Sequence, residues 1–320
     1  MSKRRTRGIT LSVATRLAWQ RAAGHDLSLT IELSAAGALA VIEPAYGGRL
    51  HQLSVTINGA ETPLLRSPAD PALYGPAPLE GGCYPMAPWP NRIRDGAFGW
   101  AGRDFRVANG REHALHGLVC DRPWEVVARV GRVVEMACDL GERWPWPARV
   151  WQRIELGPDF LAMKMEVRAA REAFPAGCGW HPWFRRALTA GDDGEAVRIS
   201  VPAGGRYVLD GQLPTGEVVA PEGPFALDGT PLAGRRLDDC YSGLAEPRVT
   251  IEWPQLRLTM AVDCAFPHVQ VYTPPEAFCI EPQTCAPDAF NLANAASGAA
   301  VAAPGRLVSM ASRWTWEVLP

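Results

Sequence analysis

His181 and Glu281 each read as standing at the end of an apolar, aromatic strand and each precede a proline, in Gly179-Trp180-His181-Pro182-Trp183-Phe184 and Phe278-Cys279-Ile280-Glu281-Pro282. An imidazole and a carboxylate are well suited to general acid–base work near neutral pH. Apolar surroundings strip water from a carboxylate and raise its pKa toward that range. Two further stretches carry candidate groups. Pro88-Trp89-Pro90-Asn91-Arg92-Ile93, with Gly96 and Phe98 behind it, delivers an Asn-Arg pair at a turn. The planar guanidinium of Arg92 offers paired donors to an oxygen-rich ligand. In His113-Ala114-Leu115-His116-Gly117, the glycine admits a backbone conformation closed to other residues and so can fix His116 at a pocket wall. The plain alternative for each is structural: a surface arginine, a satisfied histidine, a tryptophan in the core. His25, His51 and an exposed His113 take that plain reading.

These groups sit within a chain whose texture is short alternating runs cut by Gly, Pro and Asp, the pattern of strands and turns. Strands are expected near 27–33, 39–43, 124–137, 149–156, 160–167, 197–201, 249–253, 256–262, 268–272 and 308–318. In 160–167, Met163, Met165 and Val167 share one face while Lys164 and Glu166 share the other, as in a half-buried strand. Twenty-nine prolines, spread throughout, oppose long helices, and only 15–23 reads as helical. The expected fold is all-β, a large antiparallel β-sandwich. No Gly/Ser linker divides the chain, so residues 27–320 read as a single domain after an N-terminal tail, 1–26, that is poorly ordered. The Pro- and Gly-rich stretch 219–234 reads as a surface loop.

Composition removes several classes of function. Of the 320 residues 47% are apolar, enough for a sizeable core, and the net charge of −2 comes without long charged blocks. Neither nucleic acid nor a membrane surface is therefore an expected partner. No apolar segment follows the basic start Lys3-Arg4-Arg5-Thr6-Arg7, and none elsewhere is long enough to span a bilayer, so a cytoplasmic protein is expected. The eight cysteines include no C-x-x-C pair and read as buried free thiols. Histidines are scattered without metal-ligand spacing, so no metal is expected, and nucleophile-elbow and phosphate-loop motifs are missing. Proton transfer by His and Glu is the chemistry that remains.

In their order along the chain these segments resemble the aldose 1-epimerase (galactose mutarotase-like) family. The resemblance runs through Asn91-Arg92-Ile93, Leu115-His116-Gly117, Gly179-Trp180-His181-Pro182-Trp183-Phe184, Leu237-Asp238-Asp239-Cys240-Tyr241 and Cys279-Ile280-Glu281-Pro282-Gln283, and covers about residues 28–319. It implies a β-sandwich of unusual size, a supersandwich, acting on a sugar without a cofactor. It also implies roles: Glu281 as the base at the anomeric hydroxyl, His181 as the acid at the ring oxygen, and His116 as a hydrogen-bonding partner near both. Arg92, with Asn91 beside it, and Asp238 would hold sugar hydroxyls, and Trp180 would stack on the sugar face. Asp239 adjoins Asp238 and competes for its role. In the free protein Glu281 would be ionised and His181 protonated. The Trp-His-Pro-Trp-Phe context departs from the Asn-His-Ser-Tyr-Phe-Asn of galactose-specific members and leaves the sugar open. A hexose-6-phosphate 1-epimerase, with phosphate held by Arg94, Arg111, Arg122, Arg185 or Arg186, is one alternative. A carbohydrate-binding protein without turnover and a two-carboxylate glycosidase are others.

Overall fold

A computed structural model describes residues 30–292 and 297–320. The expected tail 1–26, the helical stretch 15–23 and His25 lie outside the described residues. Two large antiparallel sheets dominate what is described. The larger has 11 strands, in the order Ile31–Ala35, Ala38–Glu43, Arg49–Ile57, Cys83–Met86, Gly179–Arg185, Ala277–Gln283, His268–Tyr272, Asp238–Leu244, Ala203–Asp210 and Leu213–Val219, with Ala60–Pro63 paired off Arg49–Ile57. The smaller has nine: Asp228–Pro231, Arg198–Ser200, Arg248–Trp253, Leu256–Asp263, Val308–Val318, Phe160–Ala169, Ala148–Leu156, Val133–Asp139 and Glu125–Val130. The helical segments among the described residues are short 3-10 turns.

The core lies between the sheets. Alternation along each strand sends every second side chain inward, so Phe278 and Ile280 meet residues of the smaller sheet such as Trp253 and Trp314. Phe184 stacks on Phe278 with ring centroids 5.5 Å apart and meets Trp314 at 5.3 Å, joining the layers. Met163, Met165 and Val167 are buried as expected; Glu166 on the opposite face is also buried, held between Lys164 at 2.8 Å and Arg168.

Three expectations are corrected. The run 124–137 is a hairpin, Glu125–Val130 and Val133–Asp139, because Gly131 turns the chain at φ 57°. Within 219–234 the segment Asp228–Pro231 forms an edge strand, and the adjacent Leu232 is fully buried, so the stretch is not simply a loop. His181 and Glu281 lie inside central strands rather than at their ends, each with its proline accommodated within the sheet. All eight cysteines are free, and seven are buried.

Candidate active site

The site lies on the outer face of the larger sheet, opposite the core. Gly179 pairs with Gln283 and Trp183 with Cys279, a register that sets His181 directly across from Glu281 although their sequence separation is large. Gln270 stands across from Glu281 on the next strand, and Asp238 lies across from Tyr272. Tyr84 flanks His181 from the other side. These residues share one face by strand parity, and His181, Glu281, Asp238, Tyr272 and Tyr84 line a cavity of about 400 Å³ together with Leu79, Asn91, Arg92, His116 and Trp183. That volume is within the range of small-molecule sites.

Its chemical centre is a direct contact: His181 Nε2 lies 3.1 Å from Glu281 Oε1, both side chains being almost wholly buried. The other carboxylate oxygen, Oε2, accepts a hydrogen bond of 3.0 Å from Gln283 Nε2. The imidazole of His181 is clamped between two rings, Tyr84 at 4.7 Å and Trp183 at 5.5 Å, both nearly parallel to it. Burial pushes the His181 pKa down to about 3. Burial pushes Glu281 well above the usual carboxylate range, and the nearby Asp238 charge adds to the rise, while the Gln283 hydrogen bond and Arg92 charge oppose it. Both shifts run against the carboxylate–imidazolium pair expected for the free protein and toward a neutral acid beside a neutral imidazole. Desolvation penalises both ions. The two forms hold the same single proton, shifted between Oε1 and Nε2, so the pair titrates as one unit.

Two irregular segments complete the wall by pairing with each other. The carbonyl of Asn91 accepts the His116 N–H at 2.7 Å, and that of His113 accepts the Ile93 N–H at 2.8 Å. Asn91 and His116 both have left-handed backbones, with φ of 54° and 61°. Gly117 follows at φ 65°, and a Cβ there would lie 2.2 Å from the Ala87 carbonyl oxygen, which fits the conformational role read from its type. Asn109 Nδ2 then pins His116 from both sides through the carbonyls of Leu115 and Gly117, at 2.7 and 2.8 Å. The His116 ring meets His181 edge-on at 5.1 Å. Burial, then the charges of His181, Arg92 and Arg111, hold its pKa far below the ordinary value, which favours the neutral imidazole. Arg92 Nη1 donates to Asn91 Oδ1 at 3.2 Å.

The structure brings together Glu281, His181, His116, Arg92, Asn91 and Asp238. Asp238 lines the cavity and accepts a 2.6 Å hydrogen bond from Gln270 Nε2. Asp239 points the other way to Arg206 at 2.8 Å, so the two acids are told apart by parity. Trp180 does not join them. It lies on the opposite face of its strand from His181, fully buried between the sheets, and its Nε1 donates to Gln152 Oε1 at 2.7 Å. Trp183, two residues beyond His181, supplies the aromatic wall instead. Tyr84, Tyr272, Gln270 and Gln283 were missed; the last two show only as polar residues within apolar strands. His113 is partly covered, with its Nδ1 accepting the Asp95 N–H at 3.1 Å, and His51 Nδ1 contacts the Tyr74 hydroxyl at 2.9 Å. Neither lines the cavity. Among the described residues no three His, Cys, Asp or Glu side chains group as a metal site, and no helix is long and apolar enough to cross a membrane.

Two large antiparallel sheets packed back to back, with a buried His–Glu pair on the outer face of one, make this a galactose mutarotase-like β-sandwich. The chain belongs to the aldose 1-epimerase family, whose model matches residues 29–310. An uncharacterised Escherichia coli K12 protein, YphB, is 27% identical over 249 residues, spanning 71% of this chain and 80% of YphB. A galactose mutarotase-like protein of Clostridium acetobutylicum superposes with a TM-score of 0.82 at 22% identity, covering 91% of this chain and 95% of its own. The GalM/aldose epimerase homologue of C. elegans gives a TM-score of 0.80 at 18% identity, covering 92% and 100%. These two likenesses concern the fold.

Proposed function

We propose that this protein interconverts the α and β anomers of a free aldose. The observation that carries the reading is the 3.1 Å contact between His181 and Glu281 on the wall of a sugar-sized cavity. Mutarotation needs one proton removed from the anomeric hydroxyl and one delivered to the ring oxygen, and a pair with one mobile proton can do both. Sugar hydroxyls replace lost hydration, and with the Arg92 charge they favour the ionic form, carboxylate and imidazolium. Glu281 then takes the O1 proton as the C1–O5 bond breaks, and the electron pair left on O5 takes a proton from His181. After rotation about C1–C2, reclosure on the other aldehyde face reverses both transfers. His116 hydrogen-bonds beside these oxygens, and Arg92 and Asp238 orient the hydroxyls. Trp183 offers the ring a flat face.

An unphosphorylated sugar fits the charges. Among the described residues Arg92 is the only arginine or lysine lining the cavity, against Glu80, Asp238 and Glu281. Arg94 is directed to Asp288 at 3.5 Å, Arg111 to Asp121 at 3.0 Å, and Arg122 to the carbonyls of Asp139 and Leu140. The test is polarimetry of freshly dissolved α-anomers, free and 6-phosphorylated, with spontaneous mutarotation subtracted. Catalysis of a free aldose is expected. A tenfold or greater preference for glucose 6-phosphate over glucose and galactose would replace this reading with the phosphosugar one. Binding without turnover would make the protein a carbohydrate binder, and release of an aryl group from aryl glycosides would make it a hydrolase.

A further inference from the structure

A second cavity, of about 500 Å³, opens next to the catalytic one and is lined by Arg66, Arg185 and Arg186, with Ser67, Asp193 and Glu276. Backbone pairing builds one wall: the Arg66 N–H donates to the Trp183 carbonyl at 2.7 Å and the Arg185 N–H to that of Leu64 at 2.9 Å. The second wall is held by Arg186, whose Nε and Nη2 both donate to the Pro274 carbonyl at 3.3 and 3.1 Å. Arg66 lines this cavity and contacts two residues of the other. Its guanidinium lies 5.4 Å from the Trp183 ring centre, which covers His181, and 3.9 Å from Glu80 of the catalytic wall.

Arg185 has no side-chain hydrogen bond or ion pair among the described residues, and Arg186 has no carboxylate within ion-pairing distance. Yet Arg186 is partly buried, and loss of hydration lowers its pKa. Glu195 and Glu276 act on Arg186 only from beyond ion-pairing distance, so a bound anion would offset its loss of hydration more directly. Arg66 is matched by Glu80 at 3.9 Å, which leaves Arg185 and Arg186 as the lining guanidinium groups outside ion-pairing distance of a carboxylate, a pair that suits a compact oxyanion better than a polyanion.

We propose that this cavity is a binding site for a phosphate-type oxyanion, separate from the aldose cavity and gripped chiefly by Arg185 and Arg186. The proposal does not rest on the epimerase reading, since its readout is binding. Isothermal calorimetry with inorganic phosphate, at ionic strength matched with chloride, is the direct test on the full chain. The expected result is saturable binding that Arg185→Gln, with or without Arg186→Gln, weakens by about tenfold or more. Glu276→Gln, which removes a like charge, should strengthen it. Arg185 is exposed and makes no side-chain contact that the fold needs, so the single variant keeps the test usable if the double variant fails to fold. Glucose 6-phosphate distinguishes the sources of the oxyanion. If the group is free phosphate, glucose 6-phosphate binds no better than phosphate; if it is carried by a sugar, it binds more tightly and is weakened by the same variants. No binding above the chloride control, or binding unchanged in Arg185→Gln and Arg186→Gln, overturns the proposal.

Discussion

Replacing Glu281 by glutamine keeps its size but not its ability to take up and release a proton. Oε2 accepts from Gln283 Nε2, and Oε1 faces His181 Nε2. If the amide oxygen takes the Gln283 bond, its NH₂ donates to His181 Nε2 but has no proton it can give up. The base is lost, and with it the proton that the pair shares and that recharges His181. General acid–base contributions are about 10²–10⁴-fold. With both roles affected, a fall of about 10³ in kcat is expected, equivalent to roughly 4 kcal/mol at the transition state. Sugar affinity should change little, because Arg92 and Asp238 remain. Polarimetry from pH 4 to 9 reads the effect. The wild-type profile should be bell-shaped, with limbs belonging to the coupled pair, and residual Glu281→Gln activity should lack the acidic limb. Stability supplies an independent sign. Because the folded pKa of Glu281 is raised, the folded chain keeps a proton that the unfolded chain releases, and this carboxyl's contribution to stability falls as pH rises above 4.5. The variant lacks that loss, so its Tm relative to wild type should climb with pH. A variant that retained more than about a third of wild-type kcat, far outside the general-base range, would refute the assignment of Glu281.

Gln283→Leu should lower kcat and move the acidic limb of the rate profile upward, since the hydrogen bond that favours the Glu281 carboxylate is gone; a profile identical to wild type counts against this positioning role. Trp180→Phe should cost about 1–3 kcal/mol in denaturant unfolding, by leaving Gln152 Oε1 unpaired in the core, with KM unchanged. Arg92→Lys should reduce kcat/KM about tenfold, because a point charge cannot reproduce a two-pronged contact, and wild-type kinetics would make Arg92 merely structural. Gly117→Ala should destabilise the chain by more than about 1 kcal/mol through its left-handed backbone and the clash with the Ala87 carbonyl, and His116 should shift with it. Thermal unfolding and sugar titration check that pair of effects.

Residue types and local spacing sufficed for the all-β texture and for singling out His181, Glu281 and His116 as candidates for proton transfer, while the separate roles proposed for them come from the family resemblance. These are local properties: alternation reads out strands, and an isolated His or Glu in an apolar run is visible wherever it falls. Parity along one strand is equally local and puts Trp183 on the side of His181, so the choice of Trp180 for the sugar face was an error that the sequence itself could have exposed. Tertiary structure alone decided the rest. Only strand register sets Glu281 against His181 and turns Asp238, not Asp239, toward the cavity. Only burial pushes both members of the pair toward their neutral forms, because loss of hydration depends on everything packed around them. Arg49 makes the same point from behind the site. It is fully buried and donates to the carbonyls of Tyr46, Pro78, Glu80, Gly81 and Cys120, tying the segment that carries Leu79 and Glu80 beneath Tyr84. Nothing local marks that arginine, since its partners are backbone oxygens that any sequence supplies and only the fold gathers.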